Sequence, residues 1–69
     1  MMYHVRVTDR HGGTWVEEYA EEREAWEDYR AWRNNAPTNG TVWVEMTAPN
    51  GEEVAHWSRK EWEEEQEED

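Results

Sequence analysis

Carboxylates are the side chains of this sequence whose type and spacing could do chemistry. Acidic residues number 18 against 7 basic ones, which gives a formal net charge of −11 at pH 7. Glu21, Glu24 and Asp28 follow one another at intervals of three and four residues. On a helix, this spacing puts successive carboxylates about 5–6 Å apart along one flank. Such a row of negative charges is comparable in spacing with the phosphates of a nucleic-acid strand.

The negative charge is concentrated after the first 16 residues. Residues 17–69 hold 17 acidic side chains against five basic ones, a net of −12. A partner with a basic surface would relieve the repulsion among these acids and would be steered towards them. The acids form one cluster in residues 17–28, a second in residues 61–69, and a smaller group in residues 45–53. The predicted partner-binding carboxylates are Glu17, Glu18, Glu21, Glu24, Glu27, Asp28, Glu52, Glu53, Glu61 and Glu64.

The sequence indicates no site for catalysis, a metal or a cofactor. It has no cysteine, and its one serine is not in a Gly-x-Ser-x-Gly setting. Gly12-Gly13 is too short for a phosphate-binding loop, and no Gly-Lys-Ser or Gly-Lys-Thr follows it. His4, His11 and His56 lack the ligand spacing of a zinc site, and a calcium loop of the form Asp-x-Asp-x-Asp-Gly is missing. We therefore expect a protein that is not an enzyme, with no catalytic residue, metal or cofactor.

Charge and hydropathy also limit the expected cellular location of the protein and the class of partner that it can bind. No run approaches the roughly 20 apolar residues of a membrane span, and no basic-then-apolar start indicates a signal peptide. The acidic balance is the opposite of the basic footprint that a nucleic-acid binder carries. The sequence thus predicts a cytoplasmic protein that contacts neither membrane nor nucleic acid directly and whose partner is a basic protein.

Period-two alternation predicts four strands, and helical periodicity predicts one helix between the second and the third. The helix is expected to stop before Pro37, because the residue preceding a proline is disfavoured in the helical region. Ser58 and Glu61 have the spacing of a capping box that opens a short helix. The predicted elements are strands at residues 3–8, 14–19, 41–47 and 52–57, and a helix from residue 20 to about residue 34.

These elements predict a single α+β domain over residues 1–58. Its sheet is four-stranded, antiparallel or mixed, in the order ββαββ, with one amphipathic helix packed across it. Residues 59–69 are expected to form a short acidic helix or a frayed tail. The order of elements resembles that of β-grasp domains such as the bacterial immunoglobulin-binding domains, and residues 2–7 resemble their opening strand. No binding motif is shared, so this resemblance implies a topology and no function.

The predicted core is rich in aromatic residues, because the chain has no Leu, Ile or Phe. Ala25, Tyr29 and Trp32 fall on one helical stripe, and most of the six tryptophans are expected to be buried. Trp43 alternates with the valines of its strand, and Trp62 is the only large apolar residue of the C-terminal helix. We expect Trp43 and Trp62 to be exposed and to serve as anchors for a protein partner.

Small size, strong negative charge and the helix flank Glu21, Glu24 and Asp28, with Glu17 and Glu18 before it, resemble a functional class. This class is the small acidic DNA-mimic inhibitors, often phage-encoded, which include several anti-CRISPR and anti-restriction proteins. The resemblance implies that carboxylates occupy the phosphate-binding channel of a nuclease or surveillance complex in a bacterial host. Target DNA would then be blocked sterically.

Three other interpretations stay open at this point. The acids could simply keep a tryptophan-rich protein soluble. The protein could be an antitoxin-like or adaptor module whose affinity comes from exposed tryptophans. It could also be a homodimeric structural protein, with solvated acids and with tryptophans buried between the subunits.

Overall fold

The computed structural model of this protein describes residues 1–66 as four strands and two helices. The elements are β1 (Tyr3–Asp9), β2 (Thr14–Tyr19), α1 (Glu22–Asn39), β3 (Thr41–Thr47), β4 (Glu53–Ser58) and α2 (Arg59–Gln66). The strands form one sheet in the order β2-β1-β3-β4, and every neighbouring pair is antiparallel. The predicted α+β fold is confirmed, and the sheet is the antiparallel one of the two predicted arrangements. The resemblance to β-grasp domains covers the order of elements only, since β1 pairs here with β2 and β3.

The core lies between α1 and one face of the sheet. The two central strands meet in register there, with Val5 opposite Met46 and Val7 opposite Val44. The predicted helical stripe covers them from the other side, because α1 turns its small and aromatic residues inward. The buried apolar residues are Val5, Val7, Ala25, Tyr29, Ala36, Val44 and Met46.

The tryptophans surround this core instead of filling it, so the prediction that most of them are buried is wrong. Trp26, Trp32 and Trp57 are partly buried and pack against the core from its margins. Trp15 contacts Trp32 edge-on with ring centroids 5.3 Å apart, and Trp57 lies 6.3 Å from Trp62. An indole is so large that it reaches the surface of a small domain, whereas Val and Ala fit between helix and sheet.

Helix α1 continues through Pro37, so the predicted stop before this residue is wrong. The helix ends at Asn39, and Gly40 caps it in the left-handed conformation with φ 84°. Two tertiary interactions hold the last turn: Ala36 is completely buried, and its carbonyl accepts a hydrogen bond from Arg59 Nη2 at 2.6 Å. Arg59 is 23 residues away from Ala36 in the chain, so local helix propensity could not predict this hydrogen bond.

Helix α2 follows β4 directly and begins at the predicted cap. The Glu61 amide donates to Ser58 Oγ at 3.2 Å, and this hydroxyl donates to Glu61 Oε1 at 2.9 Å. Of the two alternatives predicted for the C-terminal segment, the short helix is present over Arg59–Gln66. Residues 67–69 of the predicted tail lie outside the described residues.

Candidate protein-binding surface

Four predicted carboxylates gather where β2 meets the first turns of α1. Glu17 is on the α1 side of β2, since it shares a face with Val5, its neighbour across the β1–β2 pair. Glu24 and Asp28 lie four residues apart on α1, and Glu21 precedes them as the N-cap residue in an extended conformation. We call these four residues, Glu17, Glu21, Glu24 and Asp28, the acidic flank.

The raised pKa of Tyr19 indicates that carboxylates of the acidic flank lie close to its hydroxyl. Burial of its hydroxyl, the adjoining Asp28 carboxylate and the negative charges of Glu17 and Glu24 together raise the pKa of Tyr19 to about 12. Three carboxylates from two different elements therefore act on one phenol. A negative charge on the tyrosine would be repelled by all three, which keeps the phenol neutral.

Asp28 is the most constrained member of the flank. Its Oδ2 atom is the one buried side-chain oxygen or nitrogen in residues 1–66 that lacks a hydrogen-bond partner. Buried polar atoms in folded proteins are nearly always paired, so this carboxylate carries an unmet demand for a donor. The polar group that adjoins this carboxylate is the hydroxyl of Tyr19.

The acidic flank is free of basic neighbours in the described part of the chain. None of its four carboxylates lies within 4.0 Å of a basic nitrogen there. The arginines of α1 face elsewhere: Arg23 pairs with Glu27 at 3.6 Å, Arg30 lies over the Trp26 ring, and Arg33 lies over the Tyr29 ring. Their absence from the flank leaves its negative potential uncompensated.

Two other predicted site residues from the first cluster do not join the flank. Glu27 lies on the arginine side of α1 in its ion pair with Arg23. Glu18 points to the opposite face of the sheet, where its Oε2 lies 3.1 Å from His4 Nε2. Strand alternation places Glu17 and Glu18 on different faces, so the cluster that is continuous in sequence is divided in space.

The remaining predicted carboxylates, from the groups in residues 45–53 and 61–69, form a cluster at the other edge of the sheet. Glu53 and Glu61 both contact His56, with carboxylate oxygens 3.0 Å from its Nδ1 and its Nε2. Glu52 is exposed in the turn before β4, and Glu64 is exposed on α2. Since β2 and β4 are the two outer strands, about 14 Å of sheet separates this cluster from the acidic flank. The sequence-predicted carboxylates thus form two surfaces.

The exposed tryptophan is not one of the two that were predicted. Trp43 is half-buried and stacks on His56, with ring centroids 4.9 Å apart, and Trp62 is half-buried against Trp57. Trp15 instead is 38% exposed, and its neighbour Val16 is 48% exposed. Both lie on β2 next to the acidic flank. The alternating pattern predicted that Trp15 and Glu17 share a face. It did not predict that β2 lies at the edge of the sheet and leaves Trp15 exposed, because that depends on strand order.

Two further features bear on what this surface can do. Within residues 1–66 there is no group of three or more His, Asp or Glu side chains that could hold a metal ion. No helix in the same range is long and apolar enough to cross a membrane.

Comparison of the chain with models of known protein families, with curated proteins and with solved structures gave no match.

Proposed function

We propose that this protein is a non-enzymatic inhibitor that mimics nucleic-acid phosphates and blocks the basic DNA- or RNA-binding surface of a partner protein. The acidic flank is the observation that carries this proposal. Glu24 and Asp28 lie one turn apart on α1, which puts their Cβ atoms about 5–6 Å apart, and Glu21 and Glu17 add charges from the N-cap and from β2. A partner that binds a phosphate backbone offers basic side chains at a similar repeat.

The energetic reason lies in the repulsion within the flank. Like charges this close destabilise the folded protein, and within residues 1–66 no basic side chain pairs with them. A basic groove removes that repulsion on binding and attracts the protein over long range.

Partners of this kind include CRISPR surveillance complexes and restriction enzymes. In this proposal the protein is phage-encoded and acts in the cytoplasm of the bacterial host. It covers the phosphate-binding channel of such a complex, so that target DNA is excluded sterically. The protein itself contacts neither DNA nor RNA.

Competition for DNA tests the proposal. Purified CRISPR and restriction complexes are incubated with labelled target DNA, and the protein is titrated in at several salt concentrations. We expect DNA to be released from at least one complex, with a potency that falls steeply as salt rises, because screening acts within about 8–10 Å at physiological ionic strength.

A matched pair of variants makes the test specific to the flank. Reversal of Glu21, Glu24 and Asp28 to Lys is expected to weaken competition about tenfold or more, equivalent to 1.4 kcal/mol. Reversal of Glu52, Glu64 and Glu65 to Lys changes the net charge equally on the other acidic surface and is expected to leave potency nearly intact. Equal potency of the two triple variants, or competition unaffected by salt, would contradict phosphate mimicry.

An adaptor-type interaction module is the second candidate, and one observation favours it. Trp15 and Val16 are exposed apolar side chains on the two faces of β2. If these side chains supplied the affinity, Trp15→Ala would weaken binding to the partner more than the flank reversal does, and salt would have little effect. The ranking of these two variants decides between the candidates.

A further inference from the structure

Strand β2 is an open edge of the sheet. It is outermost in the order β2-β1-β3-β4, and within residues 1–66 it pairs with β1 alone. Five of its six residues are exposed, with Tyr19 the half-buried one. The backbone N–H and C=O groups on its outer side therefore face solvent, in the arrangement that accepts another strand.

The feature of strand β2 that protects it as an edge is charge, at Glu17 and Glu18. Its sequence, Thr14–Tyr19, has no proline or lysine, and its pairing with β1 runs from Thr8 to Tyr3 with no bulge. The other outer strand differs, because the β3–β4 pairing shifts register next to Thr47 and α2 follows β4 immediately. Of the two edges, β2 is the straight and regular one.

The geometry points to β2 as the docking site for a basic, extended segment of the partner, which adds to the sheet as a fifth strand. This inference rests on the proposed function and names how the partner meets the surface. Main-chain hydrogen bonds to the open edge would supply affinity, and side chains on both faces would supply specificity.

The side chains of β2 determine the chemistry of that segment. Trp15 and Glu17 lie on the α1 face, with Glu24 and Asp28 behind them, while Val16 and Glu18 lie on the opposite face. An added strand thus meets one apolar and one acidic side chain on each face. The complementary sequence has two adjacent basic residues next to two adjacent apolar residues.

Charge opposes a second copy of this chain at the same edge. In the antiparallel register centred on Glu17, the Glu17 side chains of the two copies would lie directly opposite each other at a Cβ separation of about 4.5–5.5 Å, which destabilises the pair. In the register centred on Val16, Glu17 would face Trp15 of the other copy. The net charge of −11 on each copy opposes association in either register, whereas it attracts a basic strand.

A peptide titration tests strand addition directly. The probe is a six-residue peptide of two lysines and two valines in that order, flanked by threonines and blocked at both ends. Its control is the same peptide N-methylated on the second lysine and the first valine. Adjacent residues of a strand point their N–H groups in opposite directions, so this control loses one donor towards β2 while its charge and side chains are kept.

Amide NMR of the ¹⁵N-labelled protein at low salt reports the site. We expect shifts concentrated at residues 14–19, slower hydrogen exchange of the outward-facing β2 amides, and binding about tenfold weaker for the N-methylated peptide. Equal binding of the two peptides, shifts centred on α1 or α2, or no binding of either peptide would overturn strand addition. The DNA competition above judges phosphate mimicry separately, so the two proposals fail on different measurements.

Discussion

The imidazole of His56 stacks on the indole of Trp43, with ring centroids 4.9 Å apart and planes 8° from parallel. Both ring nitrogens of His56 also lie 3.0 Å from a carboxylate, that of Glu53 on one side and that of Glu61 on the other. Only the doubly protonated imidazolium donates from both nitrogens. The contact thus joins β3, β4 and the first turn of α2 through one titratable side chain.

The charge of His56 is expected to stabilise the fold at neutral and mildly acidic pH. Hydrogen bonds to Glu53 and Glu61 raise the pKa of His56 above its usual 6.5. Since the folded-state pKa lies above the unfolded one, this stabilisation is complete below about pH 6.5 and is lost as pH rises through the folded value. NMR titration of the His56 ring measures that value directly.

A variant separates His56 from the other titrating groups. Urea unfolding of wild type and of His56→Gln across this pH window should show the difference in unfolding free energy shrinking as pH rises. The tryptophan emission of wild type should change over the same window, because a stacked imidazolium quenches an indole differently from a neutral ring. A pH-independent difference between the two proteins would contradict the role of His56.

Removal of the Asp28 charge is expected to lower the pKa of Tyr19 from about 12, while burial of the hydroxyl, the largest cause of the shift, stays in place. In Asp28→Asn the amide has nearly the same shape as the carboxylate, but the phenolate no longer meets that negative charge. Ultraviolet absorbance titration of the tyrosines follows the change. Glu27→Gln is the control, because Glu27 lies on the arginine side of α1 and should leave Tyr19 unaltered.

Arg59 is expected to secure the last turn of α1. Its guanidinium donates to the carbonyl of Thr41 at 3.0 Å and to that of Ala36 at 2.6 Å. Arg59→Ala should lower the free energy of unfolding by about 1.5–3 kcal/mol, the range for hydrogen bonds to charged groups. Urea unfolding measures it, and amide exchange should accelerate at residues 36–39. The exposed neighbour Lys60→Ala should change stability by less than about 0.5 kcal/mol.

Met46 is expected to be the most costly side chain to truncate. It is the largest of the fully buried residues and lies opposite Val5 in the core. Met46→Ala should cost about 2–5 kcal/mol, which is a large part of the stability of so small a domain. Val16→Ala on the exposed edge should cost less than about 0.5 kcal/mol, measured in the same urea series.

The charges of β2 are expected to keep the protein monomeric. Sedimentation should give the 8.4 kDa species for wild type. Glu17→Thr together with Glu18→Val removes the charges from the open edge and should promote dimers at raised protein concentration. A wild-type dimer would instead support the structural homodimer that the sequence left open.

Local patterns in the sequence predicted much of this fold. Alternation at residues 3–8 and 41–47 gave the two central strands, because each has one face on the core, and the stripe of Ala25 and Tyr29 gave the buried face of α1. The stop at Pro37 failed because burial of Ala36 and the hydrogen bond from Arg59 hold the last turn. Those contacts come from distant parts of the chain.

The sequence likewise predicted one part of the candidate surface and missed another. Spacing predicted a helical row of Glu21, Glu24 and Asp28; Glu24 and Asp28 lie on α1 near Tyr19, whereas Glu21 is the extended N-cap residue. The exposure of Trp15 and the pairing of Glu53 and Glu61 with His56 were missed, because each depends on which strands and helices are neighbours. Clusters that are continuous in sequence were separated by strand alternation and by the width of the sheet.

The sequence by itself determined the net charge, the period of each element and the spacing of carboxylates along α1, since these are properties of residue type and of short range. Only the tertiary structure decided that β2 is an open edge, that the arginines of α1 face away from the acidic flank, and that the tryptophans lie around the core. Strand order and side-chain neighbours arise from long-range packing, which has no local signature in the chain.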